Sequence, residues 1–450
     1  MNIRLVLIFG VLSAGHVCAM AQRDDSAVSR TMNLQQAVES ALAHNHDVRL
    51  SSLKVEENEH AREVARSAYL PVIRNDSYLT HVTDTQLIAI PSGSFGTVGG
   101  TPIPSQTSVI NQGGQTFETS GTGLVQPLTQ LFKIKSVNDV ARAEVAASKQ
   151  SARSAKDQVE LKVRQLYYQI LIVQSQHQAI EAKIRASEDL QGERLQQVKY
   201  GSTLEADVIE SQAQSLEAKQ ALLTSDLQLS DLRMQFNDVV GLPIKSDVAL
   251  DPDVPGPVAS SSREECVKLA FDSNPDIAEA KAEVEKASAG VRAAKREYIP
   301  DVEGIARYSY QNDVPFLARN FGTFAVHFNY DLYDGGKKRA MLRERDVQLG
   351  QAKENLVRIT DEIEVKVQTA YNKLERTEQM VAVSQELLAA RKEARRVSTQ
   401  GLERGAQLRS QAEAAVAQES EAKTQFLQSQ LEYAQAQDEL NEVIGQTAND

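Results

Sequence analysis

The side chains able to do chemistry are few and poorly spaced for it. His44 and His46 stand two apart; on a helix they point in different directions and cannot share a metal, whose ligand pairs sit at i, i+3 or i+4. Gly335-Gly336-Lys337 has the residue types of a phosphate loop without its full spacing and reads as a strand-to-helix turn. Cys266 falls where the first half of the chain has Ala37, the behaviour of a small core residue. Asp157, Glu160, Asp361 and Glu364 lie midway along helical segments, where charge marks a solvated face. The expectation is therefore no catalytic, cofactor-binding or metal site, and no enzyme. Charges instead crowd two turns. Arg194, Lys199, Asp207 and Glu210 surround Gly201 and Leu204, while Arg396, Arg404, Arg409 and Glu413 surround Gly405 and Leu408. Their chemistry is electrostatic: Asp207 and Glu210 have the sign to pair with Arg404 and Arg409 between adjacent turns, at about 0–1 kcal/mol per exposed pair.

The two turns correspond because one unit is written twice. A shift of 229 residues places Ala41 on Ala270, Asn45 on Asn274, Asp47 on Asp276, Tyr69 on Tyr298 and Pro71 on Pro300. A shift of 204 places Leu128 on Leu332, Lys133 on Lys337, Tyr167 on Tyr371, Gly201 on Gly405, Asn237 on Asn441 and Gly241 on Gly445. The difference of 25 residues is extra chain in the first copy, between Pro71 and Leu128. Duplication implies pseudo-symmetry, the property of rings and arrays.

Residues 1–21 read as a secretory signal: Arg4, the apolar run Leu5 to Ala14, and Ala19-Met20-Ala21 before Gln22. Cys18 lacks the small residue that a lipidation site places before it, so the mature chain is expected to start at Gln22, unlipidated, with Cys266 as its one thiol. No later stretch approaches the roughly 18 apolar residues of a spanning helix. A net charge of −12 without a basic run gives no reason to expect a nucleic-acid partner. With no Trp and 5% aromatic residues, the composition is that of long helices.

The first repeat occupies 22–241, a Pro/Gly/Ser-rich linker 242–262, and the second repeat 263–450. Each repeat is predicted to hold a short helix (33–44, 262–273), a medium helix (46–69, 275–298) stopped at Tyr-Leu-Pro or Tyr-Ile-Pro, a non-helical region, a long helix (136–200, 337–401), a glycine turn and a last helix (204–240, 408–444). Val159, Val163, Leu166, Ile170 and Val173 carry heptad spacing. The long helix spans about 98 Å, and the medium and last helices together about 91 Å. The two shorter helices therefore stack end to end against the long one, giving four columns per chain.

In the second repeat, Val302, Gly304, Ala306, Tyr308 and Tyr310, then Phe324, Val326, Phe328, Tyr330 and Leu332, alternate with mostly polar residues. Strands are expected near 301–313 and 320–333 and, less cleanly, near 72–90 and 115–128. Their length suits β-strands with one face in lipid. Residues 91–114 read as a polar external loop. Four strands cannot close a barrel, and open edges in lipid are prohibitive. Three chains, with twelve strands and twelve columns, form the smallest assembly with a channel through both rings. The competing architecture is a secreted trimeric coiled-coil scaffold without a pore; the strand alternation and the duplicated proline junctions favour the conduit.

The tandem repeat, the junctions at 69–71 and 298–300, the segment Leu332-Tyr333-Asp334-Gly335-Gly336-Lys337 and the first turn, Gly201-Ser202-Thr203-Leu204-Glu205-Ala206-Asp207-Val208, resemble the TolC family of outer-membrane factors over essentially the whole mature chain. The resemblance implies a mostly α fold: a homotrimeric twelve-helix α-barrel in the periplasm, joined to a shared twelve-stranded β-barrel in outer-membrane lipid. It implies a passive efflux or type I secretion duct that docks an inner-membrane pump through a periplasmic adaptor protein. Arg194, Gly201, Leu204, Asp207, Glu210, Arg404, Gly405, Leu408, Arg409 and Glu413 would then form the gate and docking tips. One departure concerns the acidic ring that family members often place past the second tip: Gln411 and Ala414 stand there instead.

Overall fold

The computed structural model describes residues 31–84, 87–111, 114–252, 262–312 and 318–446. The expected export signal and Cys18 lie outside them. In chain order the first repeat holds β1 (Thr31–Met32), α1 (Leu34–His44), α2 (His46–Ser67), β2 (Val72–His81), β3 (Leu87–Ile90), β4 (Thr97–Val98), β5 (Thr101–Pro102), β6 (Ser108–Asn111), β7 (Thr116–Pro127), α3 (Leu131–Lys199) and α4 (Glu205–Val240). After β8 (Ala249–Leu250) the second repeat holds α5 (Arg263–Ser273), α6 (Pro275–Arg296), β9 (Asp301–Asn312), β10 (Asn320–Asn329), α7 (Lys337–Glu403) and α8 (Arg409–Ile444).

Local chemistry explains the duplicated boundaries. Asn45 and Asn274 each cap the following helix, their Oδ1 atoms accepting from two backbone N–H groups (Asp47 and Val48; Asp276 and Ile277). Gly241 and Gly445 end α4 and α8 in the left-handed conformation, at φ +80 and +72. The Asp334 carboxylate accepts from Gly336 and Lys338 N–H at 2.9 Å each and starts α7. Those two bonds hold it below the usual carboxylate range.

Helices α2 and α4 both pack on α3, and α6 and α8 both pack on α7; α3 also packs on α6 and α8. The columns therefore run α2/α4, α3, α6/α8, α7. At 69 and 67 residues, α3 and α7 are about 100 Å long. One core lies under α1, where Val163, Leu166, Tyr167, Ile170, Phe236 and Val240 are buried; its counterpart lies under α5, around Cys266, Ile277, Val367 and Leu440. No helix among the described residues is long and apolar enough to cross a membrane.

The four long strands form one antiparallel sheet in the order β10-β9-β7-β2. Three boundaries differ from the sequence expectations. The strand expected over 72–90 ends at His81; Leu87–Ile90 belongs to a second hairpin, paired with β6, and a third small hairpin (β4, β5) lies within 91–114. The strand expected to reach 333 ends at Asn329, because Asp334 organises the next turn. The stretch 242–262 is not only linker: Ala249–Leu250 pairs in parallel with Thr31–Met32, and Tyr167 Oη donates to Asp251 O at 2.6 Å.

A larger correction concerns charge. Asp157 and Glu160 are buried rather than solvated, although Asp361 and Glu364, their counterparts, are exposed. The physical reason is the neighbouring column. Glu160 and Asp438 of α8 both bind the Arg164 guanidinium (2.7 and 3.3 Å), and Tyr168 Oη donates to Asp438 at 3.1 Å. Burial pushes the Asp438 carboxyl up, against the pull of Arg164 and Tyr168. The α7 face carrying Asp361 and Glu364 has no such column beside it within the chain.

Candidate functional site

Both helical hairpins turn at the end of the molecule opposite the sheet. The left-handed turns are made by Gly201 (φ +67) and Gly405 (φ +69), where a side chain would find open space but a strained backbone. Neither α4 nor α8 can be capped by the residue before it, because Leu204 and Leu408 carry no acceptor. The third helical residue substitutes. Asp207 Oδ2 accepts from Leu204 N at 3.3 Å and from the Thr203 hydroxyl; Gln411 Oε1 accepts from Leu408 N at 3.3 Å. The Thr203 hydroxyl and the Leu204 N–H, with help from the Arg194 charge, hold the Asp207 carboxyl below its ordinary range. Gln411 thus does locally, without charge, what Asp207 does with it.

The tip charges are not partnered as their signs suggest. Asp207 is engaged in its own turn, Glu210 accepts from Gln214 at 3.3 Å and Arg194 donates to Gln197 at 3.1 Å. Arg409 binds Asp189 of α3 at 3.1 Å, not Asp207. Arg404, Leu204 and Leu408 are exposed, and Glu413 is half-buried. The strongest link between the hairpins comes from a residue the sequence did not single out. Glu193 of α3 accepts from Ser410 N at 2.9 Å and from Ser410 Oγ at 2.5 Å. It satisfies the first turn of α8, where a negative charge also meets the positive end of the helix dipole. No local pattern reveals this pair, which is separated by 217 residues.

Above the tips, α3, α4 and α8 enclose a groove of about 820 Å³ lined by Ala186, Leu190, Gln214, Ala414 and Gln418 among others. Ala414 lies here, in a wall whose charged residues are Lys183, Glu217 and Glu421. His44 Nδ1 lies 2.8 Å from Ser40 O within its own helix, and Cys266 is buried with its thiol pushed up by burial. Among the described residues no group of His, Cys, Asp and Glu is arranged to hold a metal ion.

At the opposite end the junction between helices and sheet is tightly bonded. Thr129 Oγ1 donates to Pro300 O at 2.6 Å and accepts from Val302 N at 2.8 Å, while Lys133 reaches Asp301 at 2.7 Å and Glu297 at 3.4 Å. Helical columns and strands are thus one continuous body, with open lateral edges at β10 and β2 and along α7 and α2/α4.

Three comparisons bear on this architecture. The family profile described as outer membrane efflux protein matches residues 266–446. The outer membrane efflux protein BepC of Brucella suis biovar 1 (strain 1330) is 24% identical over 281 residues, an alignment spanning 61% of this chain and 61% of the relative. Among solved structures, the Campylobacter jejuni CmeC outer membrane channel superposes with a TM-score of 0.72 at 13% identity, covering 98% of this chain and 94% of that one. The open-state Neisseria gonorrhoeae MtrE outer membrane channel superposes with a TM-score of 0.70 at 17% identity, over 92% and 88% of the two chains.

Proposed function

We propose that the chain is an outer-membrane factor of the TolC family and that three copies form the passive exit duct of a tripartite efflux or type I secretion system, a reading supported by the family profile over 266–446 and by the shared fold. One observation carries the assembly. Leu431 of α8 is 1% exposed and Leu427 packs beside it, both against the core around α3. Their counterparts at the 204-residue shift, Leu227 and Leu223 of α4, are 63% and 70% exposed. On α7, Val365, Met380 and Val383 are likewise exposed. Pseudo-symmetry supplies the missing contact: α4 of one copy packs on α7 of the next as α8 packs on α3. Each buried leucine gives about 1.5–3 kcal/mol. The same rotation pairs the free edge of β2 with the free edge of β10 in an antiparallel ladder, as a closed barrel in lipid requires.

In this reading 91–114 lies outside the cell, and the tips about Gly201 and Gly405 form the periplasmic mouth. Arg194, Leu204, Asp207, Glu210, Arg404, Leu408, Arg409 and Glu413, with the groove above them, are the surface offered to a periplasmic adaptor and its inner-membrane pump. The mouth is clamped unequally. Glu193 and Ser410 join α3 and α8 within a chain, whereas their counterparts, Val397 and Ala206, bring no such pair to the seam between copies. Native mass spectrometry and planar-bilayer recording test the reading: wild type should be a conducting trimer, and Leu223→Asp with Leu227→Asp should be monomeric with its helices retained. A conducting monomer, or a trimer indifferent to both substitutions, would sink it.

A further inference from the structure

The sheet register sorts its side chains into two faces. One carries Phe324, Val326, Phe328, Val302, Ala306, Leu124, Ile73 and Leu79. Of its polar members on the first hairpin, Asn75, Ser77, Ser120 and Thr122 bond to one another at 2.8–3.4 Å, which makes them tolerable next to lipid, and Glu118, opposite Leu79, stands near the end of β7 farthest from the helices. The other face carries most of the charges: Arg74, Asp76, Asp301, Glu303, Arg307 and His327. Charge at mid-membrane depth is costly on a lipid face, so this is the lumen face.

The charges on that face are not evenly spread. Arg74, Gly123, Arg307 and Thr323 form one rung across all four strands, and Asp76, Gly121, Ser309 and Phe321 the next. The Arg307 side chain lies over Gly121, where an added Cβ would overlap its guanidinium, and reaches Asp76 at 3.7 Å. The glycine pair thus opens a bed on β7 between two arginines. Arg74 makes no ion pair among the described residues. Towards the helices the acidic groups are already engaged: Asp301 by Lys133 at 2.7 Å, and Glu303 by Gln130 at 2.9 Å with His327 at 3.8 Å.

We propose that Arg74 and Arg307 form a cationic band around the lumen of the β-barrel that favours anionic solutes over cationic ones in the exit passage. The proposal rests on the duct reading above. Each chain brings two arginines and one aspartate to the band, so threefold symmetry leaves it net positive at mid-barrel. Fixed charge around a narrow, low-dielectric wall focuses its field into the lumen. The ligand class is small anions and the anionic groups of larger cargo, met as point charges and, by the flat guanidinium, as carboxylate or phosphate.

The test is the reversal potential of purified full-length trimers in planar bilayers under a tenfold KCl gradient. With 0.1 M salt on the dilute side the Debye length is about 10 Å, and the anion-to-cation permeability ratio of Arg74→Gln/Arg307→Gln should fall at least about twofold. Asp76→Asn, which removes the one compensating carboxylate and leaves both arginines, should raise the ratio. Both shifts should shrink in molar salt, where the Debye length is about 3 Å. If wild type conducts and neither variant moves the ratio, selectivity is set elsewhere and the band does nothing. If the double variant fails to insert, Asp76→Asn alone decides. If wild type does not conduct, the duct reading fails and this proposal falls with it.

Discussion

Removing the Glu193 carboxylate should open the periplasmic end. In each chain Glu193 takes both the backbone N–H and the hydroxyl of Ser410, at 2.9 and 2.5 Å, in the first turn of α8. Hydrogen bonds to a charged acceptor contribute about 1.5–3 kcal/mol each, and half-burial argues for the lower end. Glu193→Ala then weakens the contact between the hairpins by about 3 kcal/mol per chain, more than a hundredfold in the local equilibrium. The neighbouring Arg409–Asp189 pair is exposed on the arginine side, so Asp189→Ala should cost only about 0–1 kcal/mol. Glu193→Gln keeps one acceptor and loses the charge, so it should fall between. Single-channel recording of trimers in planar bilayers reads the outcome as conductance and open probability, in the order Glu193→Ala, Glu193→Gln, Asp189→Ala, wild type. Far-UV circular dichroism controls for loss of α8 itself. If Asp189→Ala opens the channel as much as Glu193→Ala, surface charge rather than the shared cap closes the mouth. If Asp207→Ala with Arg404→Ala alone opens it, the constriction is not between α3 and α8 at all.

Gly445→Ala should cost far more stability than Gly405→Ala. Both force a left-handed alanine, at about 1–2 kcal/mol, but at Gly445 the new Cβ would also meet the backbone of Ser273 and Asn274 at 2.5–3.1 Å. A guanidinium unfolding midpoint no lower for Gly445→Ala than for Gly405→Ala would refute the close approach. Glu442 has its carboxyl pushed up, by burial first and then by Asp276 and Asp157, with Lys366 opposing. A carboxyl raised in the folded state costs stability that appears as pH climbs through and above the unfolded value near 4.3. Glu442→Gln should therefore melt higher than wild type at pH 7.5, with the gap narrowing by pH 5; a gap that widens on acidification would reverse the sign. An epitope inserted at Gly99-Gly100, in the β4–β5 turn, should be stained on intact cells, and staining only after permeabilisation would place the hairpins on the wrong side of the membrane.

Much of the fold was written in local terms. The repeat, the asparagine caps, the tyrosine–proline junctions, the tip glycines and the alternation of β9 and β10 all act within a few residues, where capping, backbone sterics and face periodicity operate alone. Sequence also located the charged tips, but not their partners. Asp207 turned inward to cap its own helix, and the decisive acceptor, Glu193, lay 217 residues from its donor in a helix whose charges look like any solvated face. The same limit explains Asp157 and Glu160: periodicity marks which residues share a face, not which faces acquire a neighbour. Asp361 and Glu364 occupy the same positions in the repeat and remain exposed, because α3 lies between the α2/α4 and α6/α8 columns, whereas α7 has only α6/α8 beside it within the chain. Composition made 91–114 a polar loop, while pairing across it made hairpins, since a ladder depends on two segments meeting. The sequence by itself determined the units and their ends. Tertiary structure decided which charges are buried, which side chains join the two tips and which arginines share a rung of the sheet, because each of those depends on distant segments brought within bonding distance.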